Sequence, residues 1–146
     1  MGHRNLNLLH LSIITFCLWE SLSLFEAWFV SPYDAFNWIP FILWLLPLYA
    51  LRLPTSWVAS ELALVMVIAG ILTAVNTLTY IGFAFSIAAW IPWSKESPLW
   101  ISSSILWMPI FSYLMVEWPF GIAISCKVLG VSLATLLKIR SLRNEV

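Results

Sequence analysis

The sequence predicts an all-α integral membrane protein, built as a polytopic helical bundle in a single domain that covers residues 1–146. Three observations lead to this fold class: the composition, the length of the apolar segments and the distribution of the basic residues. Of the 146 residues, 62% are hydrophobic and 10% are charged, whereas about 25% of the residues of a soluble domain are charged. A water-soluble fold of this size could not bury so much apolar surface, so lipid is the predicted solvent.

The apolar segments have the length of short membrane spans. A helix that crosses the hydrocarbon core needs about 20 mostly apolar residues, with about 17 as the lower limit. Six spans are predicted, at residues 6–30, 35–53, 56–75, 78–93, 99–116 and 119–137. The first is predicted to be a retained helix and not a signal peptide, because Glu20 and Glu26 follow the apolar run without a small-residue cleavage site.

The number of crossings depends on residues 56–93. A continuous helix over this stretch would be about 57 Å long, nearly twice the hydrocarbon thickness. Asn76 and Thr77 can bond their own backbone and tolerate a tight turn, which would divide the stretch into two spans. One long tilted helix would give five crossings, and re-entrant or interfacial pieces would give four; both stay open as alternatives.

The basic residues favour six crossings. Six of the seven then flank the spans on one side of the membrane, which the positive-inside rule identifies as the cytoplasmic side. These six are Arg4, Arg52, Lys95, Lys138, Arg140 and Arg143. The outer loops, marked by Asp34, Asn76 and Glu117, carry no Lys or Arg. Both termini are therefore predicted to be cytoplasmic. The segments 45–48 and 70–74, with Trp57 between them, resemble small bacterial inner-membrane proteins, and this resemblance implies the bacterial inner membrane as the location.

Tryptophans, glycines and cysteines add packing predictions. Tryptophan favours membrane interfaces. This threading places Trp28, Trp38 and Trp118 near the outer interface, and Trp57, Trp90, Trp93 and Trp100 near the inner one. The other three, Trp19, Trp44 and Trp107, are predicted to lie deep in the membrane. Small residues four apart, beginning at Gly70, Gly82, Gly121 and Gly130, allow close helix contacts. Cys17 and Cys126 are predicted to be small buried hydrophobes, not a disulfide.

Ionisable residues inside the spans are the candidate site residues, because such groups usually face protein or water instead of lipid. They are His10, Glu20, Glu26, Glu61 and Lys127. Glu20 and Lys127 lie at matching depths, about 10–15 Å inside the outer edge of their spans. They are predicted to form an intramembrane ion pair that is either a packing clasp or a coupling site. Snorkelling of Lys127, or pairing with Glu117, is the alternative.

The first span also has a polar stripe, which consists of Ser12, Thr15, Trp19, Ser23 and Glu26 with Glu20 at its margin. The stripe is predicted to face the bundle or a partner protein, which makes Trp19 and Glu26 secondary candidates. Glu61 is predicted to be a carboxylate near the cytoplasmic surface. His10 has no apparent second ligand, so no metal and no cofactor are predicted.

The predicted function is non-catalytic. We find no phosphate loop, metal-ligand cluster or nucleophile elbow in the sequence, and zero net charge argues against a nucleic-acid partner. The small size favours an accessory or assembly subunit of a membrane complex, with the lipid bilayer and other subunits or a second copy as partners. The alternative is a small oligomeric proton- or cation-coupled transporter or channel that uses buried Glu20 with Lys127. An enzyme that acts on lipid or quinone has only the aromatic richness in its favour.

Overall fold

The computed structural model describes residues 3–52 and 56–144, with side chains from Asn7 onwards. Regular structure in these ranges is helical, which confirms the all-α part of the predicted fold class. The α-helices are α1 (His3–Glu20), α2 (Leu22–Val30), α3 (Trp38–Leu45), α4 (Trp57–Thr73), α5 (Asn76–Ala88), α6 (Ser97–Ser102), α7 (Pro109–Leu114) and α8 (Phe120–Asn144). Short 3-10 segments, Leu46–Ala50 and Ser103–Trp107, follow α3 and α6. The predicted end of the second span at Leu53 and the side chain of Arg4 lie outside the described residues.

Two helical stretches are long and apolar enough to cross a membrane. They are Asn7–Val30, which includes the break at Ser21, and Phe120–Asn144. Only 28% of the most apolar window of the first stretch is buried, and 22% of that of the second. Apolar helices with so much exposed surface need lipid or a protein partner around them.

The predicted fourth and fifth spans are not single helices of spanning length. The helix α5 has 13 residues, about 20 Å of rise, and ends at Ala88 ahead of Pro92. Residues 99–116 are divided between α6, a 3-10 segment and α7, with an extended Met108 (φ −84°, ψ 149°) before Pro109. Proline explains both breaks, because its ring excludes helical geometry at the preceding residue and removes one backbone donor.

The chain forms two compact units. Of the described residues, the first comprises 3–22, 50–52 and 56–93, and the second comprises 23–49 and 94–144. In the first unit, α1, α4 and α5 pack on one another, and α4 with α5 form the most extensive contact. In the second unit, α8 packs on α3, on α6 and on the 3-10 segment that follows α6.

Helices α4 and α5 form a tight hairpin. The chain turns at Ala74 and Val75, just before the predicted turn at Asn76 and Thr77. Ala74 adopts the left-handed conformation (φ 56°, ψ 30°), and the Val75 N–H donates to the Gly70 carbonyl at 3.0 Å. This pattern satisfies the last carbonyls of α4 and lets α5 return along it.

Glycine allows α4 and α5 to touch. A Cβ atom placed on Gly82 would lie 2.8 Å from the Ala63 carbonyl oxygen and 2.6 Å from a methyl carbon of Val67. Gly121, in α8, has no heavy atom within 4 Å of the same position. The two glycines therefore form a matched pair, one in a close helix contact and one in open space.

Gly82→Ala is expected to lower the free energy of unfolding by about 1–3 kcal/mol, because the added methyl group must displace backbone. Gly121→Ala is expected to raise it by about 0.5 kcal/mol, since alanine restricts the unfolded chain and fits a helix. Unfolding by sodium dodecyl sulfate in mixed micelles measures both values. Equal effects of the two substitutions would contradict the close approach of α4 and α5.

Candidate functional site

Buried polar side chains surround Lys127 in the second unit. We name this group the Lys127 cluster, and it consists of Asp34, Asn37, Ser112 and Lys127. Their exposed fractions are 5%, 2%, 4% and 3%. Lys127 lies on α8 and Ser112 on α7, whereas Asp34 and Asn37 lie in the turns that precede α3. The cluster therefore joins three parts of the second unit through polar groups.

The Asn37 side-chain amide bridges the two charged groups of the Lys127 cluster by hydrogen bonds. The Lys127 ammonium group donates to Asn37 Oδ1 at 2.7 Å and to Ser112 Oγ. Asn37 Nδ2 donates to Asp34 Oδ1 at 2.7 Å and approaches Ser112 Oγ at 3.1 Å. The amide thus presents its oxygen to the cation and its nitrogen to the carboxylate, as its two ends require. Asp34 is the carboxylate that acts electrostatically on Lys127.

The sequence prediction singled out Lys127 and missed these partners. Lys127 does not snorkel, because its side chain is enclosed, and Glu117 is exposed. Glu20 is half-buried and belongs to the first unit, so its pairing with Lys127 stays a prediction. Asp34 was placed in an outer loop and Lys127 well inside the outer edge of its span, so the predicted depths gave no signal for this pairing.

A second buried lysine was not predicted. Lys138 was interpreted as a cytoplasmic flanking charge, but α8 continues to Asn144 and the Lys138 side chain is 0% exposed. Its ammonium group donates to Ser94 Oγ at 2.9 Å and to Ser97 Oγ at 2.7 Å. Lys138 follows Lys127 by three helical turns to within about 20°, so one face of α8 carries both.

An open pocket lies at the C-terminal end of α8, in the second unit. Its volume is about 560 Å³, and its lining residues are Lys95, Glu96, Leu137, Arg140, Ser141 and Asn144. Lys95 Nζ is 3.7 Å from Glu96 Oε1. A hydrogen bond from the Ser141 hydroxyl lowers the pKa of Glu96 below its ordinary value of 4.5, so this carboxyl group is ionised at neutral pH. We name this feature the α8-end pocket.

Two stacked tryptophans hold α3 against α6. The Trp44 and Trp100 rings lie 4.4 Å apart with 9° between their planes. Trp44 Nε1 donates to the Trp100 carbonyl at 2.8 Å, and Trp100 Nε1 donates to the Trp44 carbonyl at 3.0 Å. Their exposed fractions are 0% and 1%. Trp100 is therefore a core residue whose N–H is satisfied within the second unit, and its depth near the inner interface stays a prediction.

In the first unit, His10 is a core residue. It is 2% exposed, its Nδ1 atom lies 2.6 Å from Ser60 Oγ, and the edge of Trp57 packs on it at 4.8 Å. Among the residues with described side chains, no group of three or more His, Cys, Asp or Glu could hold a metal ion. Cys17 is buried as predicted, whereas Cys126 is exposed. That second prediction is wrong because Cys126 lies about 100° around α8 from the buried Lys127.

The polar stripe of α1 faces outward from the first unit. Ser12, Thr15 and Trp19 are exposed, Trp19 to 71%. The two hydroxyls donate to the carbonyls four residues earlier, each at 2.8 Å, so they need no partner from the bundle. Of the two predicted environments, the bundle is therefore not the one that this part of the stripe meets in the first unit, and contact with a partner protein stays a prediction. We name the surface of Ser12, Thr15, Phe16 and Trp19 the α1 outer face.

The remaining candidates, Glu26 and Glu61, are exposed. Comparison of the chain with models of known protein families, with curated proteins and with solved structures gave no match. The Lys127 cluster pairs each charge with hydrogen-bonding groups in a closed set, an arrangement that fixes helix positions.

Proposed function

We propose that this chain is an integral protein of the bacterial cytoplasmic membrane, with six short crossings and cytoplasmic termini. It serves as a non-catalytic subunit of a larger membrane assembly. Two stretches of spanning length support membrane insertion, and only 28% and 22% of their apolar windows are buried in the single chain. The positions of the basic residues support the six crossings.

The main support for the subunit role is that the α1 outer face is polar at the depth of the membrane centre. Glu20, at its margin, is half-buried and lies about 20 Å from the Asn7 end of the apolar stretch and about 15 Å from the Val30 end. A carboxylate at that depth is costly against lipid. A helix of another subunit could supply donors to it, and hydroxyl residues such as Ser12 and Thr15 are common where membrane helices pack.

The exposed face of α8 is aliphatic, in contrast to the polar α1 outer face. Leu129, Leu133 and Leu136 are exposed to 69%, 62% and 64%. An aliphatic surface of this kind suits lipid chains, which need no hydrogen-bonding partner. The two faces therefore provide a matched comparison, in which α1 meets protein and α8 meets lipid.

Photo-crosslinking in native membranes tests this comparison. A photoreactive residue at Thr15 is expected to give a protein adduct of defined mass, and the same residue at Leu133 only lipid adducts. Lipid adducts alone at Thr15 would overturn the subunit proposal. An adduct of twice the chain mass, and no other, would favour the oligomeric transporter instead.

The alternative function is a proton- or cation-coupled transporter or channel that uses Glu20 with Lys127. The enclosed ammonium group of Lys127 and the half-buried Glu20 favour it, because buried ionisable groups mark ion pathways in many transporters. Flux in proteoliposomes that Glu20→Gln abolishes would support this function. Flux that the substitution leaves unchanged would exclude the coupling role of Glu20.

A further inference from the structure

The α8-end pocket lies where α8 changes from apolar to polar. Leu137 closes the apolar part of the helix, and Arg140, Ser141 and Asn144 follow on the same face at helical spacing. In the proposed membrane placement, this position is the level of the cytoplasmic headgroups. A pocket of about 560 Å³ is within the size range of small-molecule sites, about 300–1,000 Å³.

The lining of the pocket carries both signs of charge. Lys95 and Arg140 are exposed cations, and the Lys95 side chain is 88% exposed. Glu96 provides a carboxylate whose separation of 3.7 Å from Lys95 exceeds that of a hydrogen-bonded pair. Its Oε2 atom is buried and has no hydrogen-bond partner among the described residues. The Glu96 side chain is 20% exposed, so a donor in the pocket meets the carboxylate on its exposed part.

We propose that the α8-end pocket binds the headgroup of phosphatidylethanolamine, with the phosphodiester on Lys95 and Arg140 and the ammonium group on Glu96. A guanidinium group binds phosphate oxygens in a bidentate manner, and basic pockets on the cytoplasmic side of membrane helices bind lipid headgroups. Glu96 disfavours a purely anionic headgroup and favours one that ends in a hydrogen-bond donor. The inference rests on the proposed membrane placement and not on the subunit role.

Hydrogen bonds among buried side chains next to the pocket hold its lining in place. Ser94 and Ser97 hold the Lys138 ammonium group, and the Ser94 N–H donates to Ser97 Oγ at 2.9 Å. The turn that carries Lys95 and Glu96 is thereby fixed to α8. The lining can consequently be changed at its exposed residues without disturbing the buried ones.

Native mass spectrometry of the full chain with equal amounts of phosphatidylethanolamine, phosphatidylcholine and phosphatidylglycerol tests the proposal. The wild type is expected to retain phosphatidylethanolamine about fivefold over phosphatidylcholine, because a trimethylated headgroup cannot donate a hydrogen bond to Glu96. Lys95→Gln with Arg140→Gln is expected to reduce phosphatidylethanolamine binding about tenfold. Glu96→Gln is expected to keep phospholipid binding and to lose the preference. Arg143→Gln is the control, because Arg143 is exposed on α8 and is not among the lining residues of this pocket.

Two results would overturn the lipid site: no preference in the wild type, or an equal loss in Arg143→Gln and in the double variant. Displacement of the lipid by millimolar inorganic phosphate would show that the pocket takes a soluble phosphate compound and does not recognise the headgroup, and would also overturn the lipid site. Glycerophosphoethanolamine carries the same headgroup and is expected to compete. Alkaline carbonate extraction of membranes distinguishes a failure of the membrane placement from a failure of the lipid site. A chain that is extracted refutes the membrane placement, whereas a retained chain without the preference refutes the lipid site alone.

Discussion

Asp34→Ala is expected to lower the free energy of unfolding by about 3–5 kcal/mol, the usual cost of removing one partner from a buried charged pair. The Asp34 carboxylate accepts a hydrogen bond from Asn37 at 2.7 Å and acts on the enclosed Lys127 ammonium group. Without it, the cation is buried without a counter-charge and the Asn37 amide loses an acceptor. Unfolding by sodium dodecyl sulfate in mixed micelles measures the loss.

Lys127→Met in the Asp34→Ala background is expected to recover most of this loss. Methionine fills a similar volume without a charge, and Asn37 and Ser112 can still bond one another. The four proteins of this double-mutant cycle isolate the interaction between Asp34 and Lys127. Glu117→Ala is the control, with an expected change within about 0.5 kcal/mol, because Glu117 is exposed.

Two outcomes would contradict this assignment of the counter-ion. A loss in the double variant that equals the sum of the two single losses would show that Asp34 and Lys127 do not interact. A loss of about 3–5 kcal/mol in Glu20→Gln, offset by Lys127→Met, would identify Glu20 as the partner. That second result would support the ion pair predicted from the depths of the two residues.

The helical class and the hairpin at residues 56–93 could be predicted because they depend on local signals. Composition predicts a membrane protein, and a continuous helix of about 57 Å exceeds the membrane thickness, so a turn near Asn76 was favoured over one long tilted helix. The structure has it at Ala74 and Val75. The division of residues 99–116 was harder to predict, because Pro109 could equally have started or kinked a spanning helix.

The candidate site was predicted only in part, since burial of a charge depends on partners that are distant in sequence. The depth of Lys127 in an apolar segment marked it as a buried cation. Lys138 has the same local context as Arg140, a basic residue after an apolar run, and the serines that enclose it lie more than 40 residues away. Side-chain partners at such separations follow from packing, which periodicity alone does not determine.

Trp44→Ala is expected to lower the free energy of unfolding by about 3–5 kcal/mol. The substitution removes a fully buried ring, its stacking on Trp100 at 4.4 Å and the hydrogen bond from its Nε1 to the Trp100 carbonyl. It also leaves a space between α3 and α6 that rigid helices fill only in part. Micelle unfolding followed by circular dichroism at 222 nm measures the effect without dependence on tryptophan fluorescence.

Two further substitutions separate the contributions of the Trp44 ring and its N–H group. Trp44→Phe keeps an aromatic ring and removes the donor, so a smaller loss of about 0.5–1.5 kcal/mol is expected from the missing hydrogen bond, because the Trp100 carbonyl still accepts from the Ser103 hydroxyl at 2.6 Å. Trp19→Ala is the matched control, because that ring is 71% exposed on α1 and its removal should change the free energy of unfolding by less than about 0.5 kcal/mol.

If the α1 outer face meets a partner subunit, Trp19→Ala should nevertheless abolish the Thr15 crosslink. Equal destabilisation by Trp44→Ala and Trp19→Ala would contradict the placement of Trp44 in the core, and a crosslink that survives Trp19→Ala would count against the α1 outer face as the docking surface.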